Sequence, residues 1–126
     1  MNKYTFDTSF IVSLLNDKDS NHKKAKDIAK TINNDYIIIP SVVIAEIMNY
    51  TKNKKFRDVI LENTMEILSE ISFLDMENLD DYIKFRYSIE NALTATDSII
   101  LYSTISTNSK LITFNKKLDN LYKSMI

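Results

Sequence analysis

Four side chains, Asp7, Glu46, Asp97 and Asn115, carry oxygen ligands at positions where a fold could bring them together. Asp7 closes a first apolar run, and Asn115 closes a late one. Glu46 and Asp97 fall early in helical stretches that follow other segments. In open α/β sheets, ligands bind beyond the carboxyl ends of the strands, near a switch in strand order. A doubly wound sheet would let the four positions meet at one rim; that convergence follows from the topology and not from their spacing. Carboxylates gathered there repel one another, which raises at least one pKa. A hard divalent cation such as Mg²⁺ or Mn²⁺ takes oxygen ligands and relieves that repulsion. Its binding would also stabilise the fold by linkage.

The elements that must position these residues alternate. Lys3 to Phe6 reads as a short strand ending at Asp7. Thr8 to Leu15 has helical pattern, with Phe10, Ile11, Leu14 and Leu15 at helical spacing. After a polar break, Asn16 to Asn21, a charged helix spans His22 to Asn33 with Ala25, Ile28, Ala29 and Ile32 inward. Tyr36 to Ile39 is β-branched and apolar throughout, the pattern of a strand buried on both faces. Pro40 ends it, and Ser41 is placed to cap a helix from Val42 to Thr51. A long helix is predicted over Phe56 to Glu70, then a strand over Ile71 to Leu74. Helices follow over Asp80 to Asn91 and Thr96 to Thr107, the latter with Ile99, Ile100 and Ile105 inward. Lys110 to Phe114 is a last strand, and the tail from Lys116 begins helical. The alternation predicts one α/β domain over residues 1–126, a three-layer α/β/α arrangement around a parallel sheet of about four to five short strands.

Composition removes several classes. The chain has 126 residues, enough for a core without disulfides or structural metal. It has no cysteine, which excludes a disulfide scaffold and a Cys-ligated zinc site. It has no glycine, which excludes a Walker loop, a dinucleotide fingerprint, a kinase glycine loop and a glycine-flanked nucleophile elbow. One histidine, His22, cannot supply both acid and base for histidine-based RNA cleavage. The N-terminus carries no signal-peptide pattern, and the apolar runs are too short to span a bilayer, so a cytoplasmic protein without membrane contact is expected. A net charge of −1 gives no general basic field, so nucleic acid would be gripped only by local patches.

The segments carrying the acids resemble the PIN domain family. Tyr4-Thr5-Phe6-Asp7-Thr8-Ser9 is similar to its opening motif, an apolar strand, an Asp and small hydroxyl residues. Pro40-Ser41-Val42-Val43-Ile44-Ala45-Glu46 resembles its second, and Leu93-Thr94-Ala95-Thr96-Asp97-Ser98-Ile99-Ile100-Leu101 its third. Lys110-Leu111-Ile112-Thr113-Phe114-Asn115 resembles its fourth, where Asn115 departs from an expected acid. The order and separations match over essentially the whole chain. The small size resembles toxins of the VapC type, ribonucleases held inactive by a cognate antitoxin.

The resemblance implies a metal-dependent endoribonuclease. Asp7 and Asp97 would bind Mg²⁺ or Mn²⁺, and Glu46 would bind metal or orient the attacking water. Asn115 would be a peripheral ligand or water-holder, and Asp119, four residues on, could reach back along a helix. Ser9 would steady Asp7 or the phosphate, with Thr113 in a similar part. An RNA substrate, an antitoxin laid across the surface helices and a second copy of the chain are the implied partners. With Asn115 in place of an acid, a PIN-like domain that binds RNA or protein without cutting is the alternative.

Each acid also has a structural reading. Asp7 could cap the following helix. Thr94 to Asp97 fits a capping box. Glu46 could lie on a solvated face with Asn49 and Asn53, although Val42, Val43 and Tyr50 crowd that side. Lys52, Lys54, Lys55 and Arg57 follow the Glu46 helix, and Lys116 and Lys117 follow Asn115; both runs could meet phosphates, whereas the lysines of the second helix read as solvated surface. Tyr50 and Phe56 could stack on unpaired bases or belong to the core. A receiver-type phosphotransfer domain would want paired acids after the first strand, but Thr8 follows Asp7. A haloacid-dehalogenase site would want Asp-x-Asp, and position 9 is Ser.

Overall fold

The computed structural model describes residues 2–32, 35–90 and 92–126. Among them the order is β1 (Lys3–Phe6), α1 (Thr8–Leu15), α2 (His22–Thr31), β2 (Tyr36–Pro40), α3 (Ser41–Tyr50), α4 (Arg57–Ile67), β3 (Glu70–Ser72), α5 (Leu79–Ile89), α6 (Ala95–Ser106), β4 (Lys110–Ile112) and α7 (Lys116–Ser124). The four strands form one parallel sheet in the order β3-β2-β1-β4. Crossovers between parallel strands are right-handed. The chain steps from β1 to β2 to β3 in one direction and then returns past β1 to β4. That reversal puts α1 to α4 on one face and α5 and α6 on the other, and it makes the β1–β4 boundary the switch point. The three-layer α/β/α expectation therefore holds, with four strands.

Two features fix the rim above that boundary. Phe6 pairs with Ile112 in register, and the Asp7 N–H donates to the Ile112 carbonyl at 3.1 Å. Phe10 packs on Phe6, ring centroids 4.7 Å apart, and on Phe114 at 6.0 Å, so α1 is clamped between β1 and the segment after β4. Below, Ile37, Ile38 and Ile39 are all buried, as a central strand covered on both faces requires.

Several boundaries differ from the sequence expectation. The predicted Phe56–Glu70 helix is α4, Arg57–Ile67, because Leu68 turns extended and the Ser69 N–H donates to the Ile37 carbonyl, drawing Glu70 into β3. The strand predicted over Ile71 to Leu74 accordingly ends at Ser72. Ser41 is the first residue of α3 and not its cap; Pro40 holds that position, with no side-chain cap. The last strand stops at Ile112, freeing Thr113 and Phe114 to bond around Asp7. Ile105 faces out, 39% exposed, because α6 buries hydroxyls instead: Ser98, Ser103 and Thr104. Thr104 and Ser98 stay satisfied by donating back to the carbonyls of Ile100 and Ala95. The expected ends of two helices at Asn33 and Asn91 lie outside the described residues. Among the described residues no helix is long and apolar enough to cross a membrane.

Candidate active site

Asp7, Glu46, Asp97 and Asn115 all line one open cleft of about 460 Å³ beyond the carboxyl ends of β1 and β4. Ser9, Thr8, Tyr50, Phe114, Ser13, Asp19 and Asn21 complete its wall. A second cavity of about 230 Å³, between β3 and α6, holds none of the four.

Asp7 is the fixed point. It occupies the N-cap position of α1, yet its side chain makes no cap bond. Its carboxylate turns to β4 instead, where Oδ2 accepts from Ser9 Oγ at 2.8 Å and Thr113 Oγ1 at 2.6 Å. Each hydroxyl has one proton, and each is oriented by a backbone donor: Phe114 N–H on Ser9 Oγ and Asn115 N–H on Thr113 Oγ1. The arrangement relays two main-chain donors onto one buried carboxylate, which is 4% exposed.

Glu46 comes from α3, half-buried, and takes the Thr8 hydroxyl on Oε1 at 2.5 Å. Burial lifts its pKa above the usual 4.5; the Thr8 bond pulls it down, while Asp7 and Asp97 add repulsion. Asp97 stands in the first turn of α6. Thr94 caps that helix by accepting the Asp97 N–H at 3.2 Å, and Asn115 Nδ2 donates to the Asp97 carboxylate at 3.2 Å. Burial and the Asp7 charge raise the Asp97 pKa above 3.8, against the donors Thr94 and Asn115 and the charge of Lys117. The capping role of Thr94 and the place of Asp97 in the cleft thus coexist.

Burial first, and the charge of neighbouring acids second, thus lift the Glu46 and Asp97 carboxyls, and a nearby positive charge would relieve both costs. All the donors are oxygens, the set a hard divalent cation takes. Among the described residues no three His, Cys, Asp or Glu side chains stand close enough together to form a metal-holding group; the acids share the cleft without closing on a common point. Asp7, Glu46 and Asp97 are the residues that could hold such an ion.

The remaining sequence candidates divide. Ser9 and Thr113 sit beside Asp7. Asp119 pairs with Lys123 at 2.9 Å, away from the cleft. Lys52, Lys54 and Lys55 are exposed in the turn after α3, and Arg57 begins α4; none lines the cleft. Lys116 is exposed at the start of α7, but it is Lys117 whose charge acts on Asp97. Tyr50 and Phe56 are each 36% exposed and so are not core. His22 is half-buried and bonds the Ser13 carbonyl at 2.9 Å. Sequence reasoning missed Thr8 as the partner of Glu46, and Asp19, a further carboxylate of the wall held by Ser13 Oγ at 2.8 Å.

No curated protein sequence matches the chain. Solved structures do. A VapBC2 complex from Rickettsia felis, bound to a promoter DNA fragment, superposes with a TM-score of 0.72 at 22% identity, covering 94% of this chain and 92% of that one. VapC20 of Mycobacterium tuberculosis, a toxin that cleaves the sarcin–ricin loop, gives 0.74 at 12% identity, covering 94% of each chain. VapBC-1 of nontypeable Haemophilus influenzae gives 0.71 at 18% identity, covering 98% of this chain and 94% of that one. At these identities the likeness is one of fold. The PIN domain family model matches residues 4–124, and by that match the chain belongs to the PIN domain family.

Proposed function

We propose that the chain is a divalent-metal-dependent endoribonuclease of the VapC toxin type. The observation that carries this reading is the meeting of Asp7, Glu46 and Asp97, from three separate segments, around one solvent-open cleft. In such a cleft Mg²⁺ or Mn²⁺ would supply a water of lowered pKa and neutralise charge on the phosphoryl oxygens. Asp7 and Asp97 hold the ion. Glu46 completes the set or turns the water toward the phosphorus, and Thr8 sets its orientation. Ser9 and Thr113 keep Asp7 facing the cleft. RNA is the substrate, a second copy of the chain is a further partner of this reading, and the neighbouring VapBC complexes support an antitoxin partner.

A second reading, a PIN domain that binds without cutting, draws on Asn115 and on the absence, among the described residues, of a metal-holding group of three acids. An RNA cleavage assay with Mg²⁺ or Mn²⁺, run on the wild type beside Asp7→Asn, separates the two. Cutting should require the cation and vanish in Asp7→Asn. Cutting that survives in Asp7→Asn would refute the site, and no cutting together with no cation-induced stabilisation would favour the second reading.

A further inference from the structure

The Asn115 carboxamide has one orientation that satisfies both of its neighbours. The Leu118 N–H requires an acceptor and takes Asn115 Oδ1 at 3.2 Å, which caps α7. The Asp97 carboxylate requires a donor and takes Asn115 Nδ2 at 3.2 Å. Flipping the amide would set N–H against N–H and oxygen against oxygen. The backbone is pinned too, since Asn115 N–H is bound to Thr113 Oγ1 at 2.9 Å. Turning Oδ1 into the cleft would strip the first turn of α7 of its side-chain cap.

We infer that Asn115 is a positioning residue: its amide nitrogen steadies Asp97 toward the cleft while its oxygen stays on α7, so that the cation's side-chain ligands come from Asp7, Glu46 and Asp97 alone. This rests on the divalent-ion site proposed above. A carboxylate at position 115 could still cap α7 with one oxygen, but its charge would repel Asp97. The amide provides the cap and a donor together.

Two measurements on the full chain test this. Hydrogen exchange of the Leu118 amide, without and with saturating Mg²⁺, follows the oxygen directly. Protection of Leu118 should persist when Mg²⁺ binds. Its loss on binding overturns the inference and leaves the nuclease reading standing, whereas failure of Mg²⁺ to bind overturns that reading and the inference with it. Asn115→Ser separates the two halves of the amide. Serine is a favoured N-cap, so α7 and the thermal midpoint should stay near wild type. The serine side chain ends one bond short of the amide nitrogen, so while it caps α7 its hydroxyl does not take that nitrogen's place against Asp97, and Mn²⁺ affinity measured by calorimetry should fall about tenfold. Unchanged Mn²⁺ affinity in Asn115→Ser overturns the inference.

Discussion

Thr113 donates its hydroxyl to Asp7 Oδ2 at 2.6 Å, joining two strand ends that lie 106 positions apart in sequence. The same hydroxyl accepts the Asn115 N–H, so its removal orphans that donor and leaves Asp7 Oδ2 with Ser9 alone. Thr113→Val keeps the shape and deletes both bonds. It should lower the unfolding free energy by about 2 kcal/mol, as loss of a buried polar partner does. Urea denaturation in chelator checks this, with Thr113→Ser restoring most of the loss. An unmoved midpoint in Thr113→Val would mean that Asp7 is not held from β4.

The raised Glu46 and Asp97 pKa values carry a pH dependence of definite sign. Lost hydration is the leading cause for both, with Asp7 adding repulsion. The folded chain therefore favours the protonated forms more than the unfolded chain does. Their contribution to stability is complete below the ordinary values of 4.5 and 3.8 and is lost as pH rises through the elevated ones. In chelator, Glu46→Gln should thus gain on the wild type as pH climbs from about 4 to about 7. Saturating Mg²⁺ should shrink or reverse that gain, because the ionised carboxylate then has a partner. Thermal midpoints across the range decide it, and a difference that stays flat in chelator would sink the idea.

Much of this site could be read from sequence, for identifiable reasons. Asp7 and Asn115 follow apolar runs, and any doubly wound sheet puts such residues on the strand-end rim. Glu46 lies in the second turn of the helix that leaves β2, and Asp97 in the first turn of the helix that leads into β4. Asp19 was invisible because it sits in the polar break after α1, where no periodicity assigns a direction. Thr8 was invisible because its role is a bond to a residue 38 positions away. The end of α4 was misread because helical pattern continues through Leu68 and Ser69, while a tertiary bond from Ser69 to Ile37 decides the conformation. Amide orientation at Asn115 depends on two neighbours at once and leaves no trace in spacing.

Thr8 offers a test of Glu46 that leaves the carboxylate in place. Its hydroxyl holds Oε1 and draws the pKa downward against burial. Thr8→Val should push the Glu46 carboxyl further up, visible in a carbon-13 carboxyl titration. If Glu46 serves the ion or the water, RNA cleavage should fall by about tenfold or more, mainly in kcat, since an orienting partner is lost. Full activity in Thr8→Val, with an unaltered titration, would remove Glu46 from the working set.

Tyr50 stands one helical turn beyond Glu46 and lines the same cleft. Asn16 Nδ2 donates to its hydroxyl at 3.2 Å, and Lys54 Nζ lies 4.9 Å from its ring centroid and 5.8 Å from that of Phe56. If the chain takes RNA, a pinned, partly exposed ring beside a cation would offer a stacking surface for an unpaired base and a phosphate contact at its edge. On an Asp7→Asn background, which should leave RNA uncut, Tyr50→Ala should weaken single-stranded RNA binding by about tenfold, given the roughly 1–3 kcal/mol that stacking supplies per base. Tyr50→Phe keeps the ring and should retain most of the affinity. Lys54→Ala should instead flatten the salt dependence by about one phosphate contact. Fluorescence anisotropy over a salt series distinguishes the two effects. Equal binding by Tyr50→Ala and its parent would place the base elsewhere, because a ring that contacts the base cannot be deleted without loss.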